Sequence, residues 1–87
     1  SPTPPKVLIH AEAEAQAIAL RKAAELTNQG ITCEYSIFDS LQQSLDYALQ
    51  RGIAQVLHIS GQTAQVRTLR PEGRDLIPAE QLTKLPE

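Results

Sequence analysis

The chain has one cysteine, no methionine, no tryptophan and only 3% aromatic residues across its 87 positions. Each shortage closes a class of function. Cys33 has no second thiol, so an internal disulfide and a thiolate metal cage are both excluded, and a reducing, cytoplasmic setting is the default expectation. No apolar run approaches the roughly 20 residues that span a bilayer, and nothing resembles a signal peptide. Positive charge is scarce too: 8 Lys and Arg stand against 10 Asp and Glu, for a net charge of −2. Nucleic-acid binders draw most of their affinity from cations meeting phosphates. With two tyrosines and one phenylalanine as stacking platforms, this chain reads as a junior partner to RNA at most. Lacking methionine altogether, it reads as a piece of a longer protein.

What is present is an ordinary globular composition, 41% hydrophobic and 21% charged, of a size to form one domain. "SPTPP" (1–5) has the make-up of a proline-rich linker, leaving 6–87 as the domain. "KVLIH" (6–10) reads as a short strand buried on both faces. Residues 11–29 are rich in helix formers, with Ala19, Leu20, Ala23 and Leu26 on the contact face and Gly30 as the left-handed stop. "ITCEYSIF" (31–38) alternates like an edge strand. Ser40 and Gln43 match a capping box that opens a second helix, and Gly52 closes it. "IAQVLHIS" (53–60) is a further central strand, with Leu57 in its core and Leu45 of the second helix beneath it.

Strand, helix, strand, helix, strand with right-handed crossovers gives a parallel sheet in the order 2-1-3, helices on both faces. After Gly61, "AQVRTL" and "RDLIP" flank "RPEG", which predicts a terminal hairpin turning at Pro71–Gly73. "PAEQLTKL" (78–85) predicts a closing helix.

"LTNQGITCEY", "DSLQQSLDYALQRGIAQVLHISG" and "AQVRTL…RDLIP…LTKL" together resemble the anticodon-binding domain of class II aminoacyl-tRNA synthetases, most of all the C-terminal domain of histidyl-tRNA synthetase. The resemblance implies a three-layer α/β/α fold with a five-stranded mixed sheet, order 2-1-3-4-5, strand four antiparallel. The departures from the family pattern all remove charge. Thr27 stands where the family usually carries Arg, Gln42 and Gln43 where it is commonly lysine-rich, and "SGQTAQV" lacks the acids and length usual after the third strand. That pattern resembles the paralogue of the synthetase that serves as the regulatory subunit of ATP phosphoribosyltransferase, in histidine biosynthesis. The expectation is a non-catalytic accessory domain acting through protein contacts with its parent chain or a catalytic phosphoribosyltransferase subunit. The alternative is recognition of the tRNA anticodon within a full synthetase.

Few residues invite chemistry. Arg67, Arg70 and Arg74 are the one local concentration of positive charge, a candidate contact for nucleic acid or an acidic partner, set against a solvated hairpin balanced by Glu72 and Asp75. His10 and His58 fall near strand ends, where doubly wound proteins bind ligands. Aligning "VLIH" with "VLHI" offsets them by one residue and sends them to opposite faces, which favours structural histidines and no metal. No glycine-rich loop follows "KVLIH", so a phosphate cradle is absent, and no nucleophile–base pair is spaced for catalysis or a bound cofactor.

Overall fold

A computed structural model describes residues 2–87. The central strand is β1 (Val7–Ala11), whose first four residues are buried. It is flanked in parallel by β2 (Cys33–Tyr35) and β3 (Gln55–Ser60), and β4 (Thr63–Thr68) pairs antiparallel with β3, giving the order β2-β1-β3-β4. Period-2 alternation sorts β1 side chains to two faces. Val7 and Ile9 meet Leu57, Ile59 and the buried residues of α1 (Gln16–Asn28) and α3 (Ala79–Thr83). Leu8 meets Val56, Ile53 and the residues of α2 (Leu41–Arg51). The connection through α1 runs from β1 to β2, and the one through α2 runs back across the sheet to β3. Right-handed crossovers in opposite directions place their helices on opposite faces, hence the three layers.

Both crossover helices stop the same way. Gly30 (φ 81°) and Gly52 (φ 76°) take the left-handed conformation that L side chains resist. The next residue then reaches back: Ile31 N–H to the Leu26 carbonyl, and Ile53 N–H to the Ala48 carbonyl, each at 2.9 Å. This is the Schellman closure, with the expected apolar contact. Ile31 shares a cluster with Leu26, and Ile53 with Ala48. The Ser40 cap forms as expected, its Oγ accepting from Gln43 N–H at 3.1 Å.

Five expectations are corrected. The sheet has four strands, not five, and the hairpin turns at Gly61–Gln62 between β3 and β4 rather than at Pro71–Gly73. The segment expected as strand five, "RDLIP", has no ladder of its own, because one side chain replaces it. Gln55 Oε1 accepts from Ile77 N–H at 2.8 Å, and its Nε2 donates to the Ile77 carbonyl at 3.0 Å. The 31–38 strand narrows to Cys33–Tyr35, leaving Ile37 88% exposed beyond it. Leu45 does not lie beneath Leu57: the two belong to clusters on opposite faces of the sheet. In α1, Leu20 is 60% exposed while Lys22 is fully buried in the contact face.

The Gln55 tie makes a testable claim. Gln55→Leu keeps the side chain's bulk but strands both backbone groups of Ile77, an expected loss of about 1–3 kcal/mol. Chemical denaturation against Gln65→Leu, on the exposed part of β4, checks it. Equal midpoints would mean that the segment after β4 is held by apolar contacts alone.

Candidate functional site

The carboxyl edge of the sheet gathers the polar groups. In the parallel register Ile9 is opposite Leu57, so His10 lies directly opposite His58, on the same face. The expected one-residue offset fails because β1 enters the ladder at Val7 opposite Gln55, not opposite Val56. The two rings sit edge to face, centroids 5.4 Å apart. β1 also runs further than the sequence pattern implies. Ala11 pairs with Ile59, and Glu12 stays extended (ψ 163°) with its N–H bonded to the Ile59 carbonyl at 2.9 Å. Residues two apart on extended backbone share a face, so Glu12 returns to the side of His10.

Glu12 Oε2 lies 2.7 Å from His58 Nε2 and 3.3 Å from His10 Nε2. The bond to His58 foremost, then the charges of the two histidines, outweighs partial burial and holds the Glu12 carboxyl below its ordinary range. That contact contributes stability above the usual carboxylate pKa and loses it as pH falls through the lowered one. Behind the trio, His10 Nδ1 bonds Ser44 Oγ at 2.7 Å, Ser44 Oγ meets Ser36 Oγ at 2.5 Å, and Ser36 Oγ accepts from Phe38 N–H at 3.1 Å. His10 and Ser44 are buried, whereas Glu12 and His58 are partly open to solvent. A cleft of about 320 Å³ opens beside them, lined by His10, Glu12, Gln16, Ser36, Phe38 and Asp39, among others. Chemically the trio is a carboxylate and two imidazoles, a set that shares protons or ligates a cation.

Glu12 is the residue that the sequence reading missed. The signal was "HAE": on a strand it places His10 and Glu12 on one face, while a helix begun at 11 hides the pairing. Ser44 gave no such signal, since its role depends on α2 crossing beneath β1.

The three arginines fall in different settings. Arg67 is exposed on β4 opposite Val56. Arg70 Nη2 donates to the Leu49 carbonyl near the end of α2, and its Nε is shielded from solvent without a partner among the described residues. Arg74 is exposed in a cleft shared with Pro4, Pro5, Lys6 and Asp75. Cys33 is half-buried against the α1 side of the core, and burial pushes its thiol above the usual range, which makes it a poor nucleophile. A surface clasp joins β2 to α2: Tyr47 donates to Glu34, and Arg51 donates to the Tyr47 hydroxyl at 2.8 Å. The Glu34 bond raises the Tyr47 hydroxyl above its ordinary value.

No protein-family model matches this sequence, and no curated protein does. Among solved structures, the histidyl-tRNA synthetase of Nostoc sp. PCC 7120 matches with a TM-score of 0.71 and 19% identity, over 78% of this chain. The chain spans only 18% of the length of that synthetase. What the two proteins share is the fold, a mixed α/β domain like one found within a histidyl-tRNA synthetase.

Proposed function

We propose that the chain is a non-catalytic accessory domain of a histidyl-tRNA-synthetase-like protein. In this reading it acts through protein contacts, in the manner of the C-terminal domain of an ATP phosphoribosyltransferase regulatory subunit. The observation that carries the reading is the pairing of a synthetase-like fold with a net charge of −2. An RNA-gripping surface needs cations free to meet phosphates. Of the three local arginines, Arg70 is committed to a backbone carbonyl, which leaves Arg67 and Arg74. Exposed apolar side chains are better supplied: Leu20, Tyr35, Ile37 and Leu49 all face solvent. Protein partners reward such area, whereas phosphates do not.

Two titrations at near-physiological salt test the reading. Histidine tRNA added to the domain is expected to give no saturable binding. Any residual affinity should pass through Arg67 and Arg74 and fall steeply as salt rises. The parent chain, mixed with a purified catalytic phosphoribosyltransferase subunit, is expected to form a complex that weakens when this domain is deleted. Tight, anticodon-dependent tRNA binding by the wild-type domain overturns the proposal and assigns it to tRNA recognition.

A further inference from the structure

We infer that His10, Glu12 and His58 form a Zn²⁺ site at the carboxyl edge of β1 and β3. The donor atoms of the three lie within 4.8 Å of one another. Both imidazoles aim Nε2 at one point, now filled by the Glu12 carboxylate oxygen at 2.7 and 3.3 Å. Such convergence is what a metal requires of its ligands. Zinc bonds of about 2.0–2.1 Å at tetrahedral angles put neighbouring donors about 3.3 Å apart. The His10–Glu12 separation is already 3.3 Å. The tighter His58 contact opens if Glu12 withdraws, and that side chain, 38% exposed, has room to rotate.

The surroundings have the features of a metal site as well. The histidines sit on facing rungs of a parallel ladder, so the backbone fixes their spacing. The second nitrogen of His10 is held by buried Ser44, the kind of outer contact that orients a ligating imidazole and sets its tautomer. In the metal-ligating form two imidazoles and one carboxylate carry a net negative charge, and the adjoining cleft adds Asp39 but no lysine or arginine. Two nitrogens and one oxygen suit zinc, and the cleft side offers the remaining coordination position to water or an incoming anionic group. Binding would clamp the turn after β1 to β3. The inference is independent of the accessory-domain reading, because it depends only on the local geometry.

The test is titration of the chelator-treated domain with ZnCl₂ by calorimetry, and with Co²⁺ as a visible-absorption probe. The expected result is one ion per chain, tetrahedral Co²⁺ bands, and a melting temperature that climbs with zinc concentration. Binding should weaken on acidification, as protons compete for the ligands. Glu12→Gln and His58→Gln should abolish saturable binding, and Ser44→Ala should weaken it by about 10–100-fold. Melting without metal confirms that each variant folds, and Glu12→Gln keeps the shape and polarity of the side chain. The proposal is overturned if wild type shows no saturable site. Weak, multiple binding that is unchanged in Glu12→Gln and His58→Gln overturns it too.

Discussion

Leu57→Ala is expected to lower the unfolding free energy by about 2–5 kcal/mol, the usual cost of emptying a well-packed leucine site. For a domain of this size that is a large part of its total stability, and each kcal/mol moves the midpoint by about 4–8 °C. Leu57 is fully buried in β3, within the larger cluster between the sheet and the α1 and α3 layer. Side chains of α1 and α3 close over that cluster and cannot both collapse into the space left behind. Leu45→Ala should cost less, since Leu45 retains 8% exposure and belongs to the smaller cluster under α2. Because the sheet separates the two side chains, their effects should add to within about 0.5 kcal/mol in the double mutant. Chemical denaturation of the two single variants and the double measures this. A larger coupling would mean that Leu45 packs directly beneath Leu57, as the sequence pattern alone implies.

That pattern was a sound guide wherever the physics is local. Gly30 and Gly52 are legible as helix stops because few residues other than glycine take positive φ there, and Ser40 and Gln43 announce a cap within four residues. The order of strands and helices, with the crossover rule, yields 2-1-3 without any contact information. What failed was decided across the chain. Whether His10 meets His58 depends on where β1 enters its ladder, and matching similar letters in two strands does not reveal it. "RDLIP" has the look of a strand, but its pairing capacity at Ile77 is taken by Gln55, a residue 22 positions away. The candidate site therefore lay half in view. Its histidines were visible, while the carboxylate between them was hidden by the assumption that a helix starts at 11. The charge balance behind the proposed function, in contrast, needed no fold at all.

Lys22→Met is the second substitution with a large expected effect, and composition gives no warning of it. The ammonium is fully buried, yet each of its three N–H donors has a partner. It donates to Glu25 Oε1 at 2.9 Å, to the Gln81 carbonyl at 2.6 Å and to the Lys84 carbonyl at 2.7 Å. α3 is five residues long, far too short to hold itself, and these carbonyls belong to its last turn and the exit from it. Lys22 thus pins α3 to α1, beside the fully buried Leu82. Methionine fills similar volume but leaves two carbonyls facing it without a donor, at about 1–3 kcal/mol each. Relief of the buried charge returns part of that, so a net loss of about 2–4 kcal/mol is expected. Thermal melting gives the size of the effect, and hydrogen exchange gives its place: protection should fall first at Gln81, Leu82 and Lys84, whose amides close α3. High salt should not reproduce the change, because an interaction sealed from water is poorly screened. Arginine should not rescue it, since a planar fork does not match three donors spread about one nitrogen. Should Lys22→Met melt like wild type with α3 protection intact, α3 would be held by Leu82 and its apolar neighbours alone, and the buried ammonium would have no stabilising role.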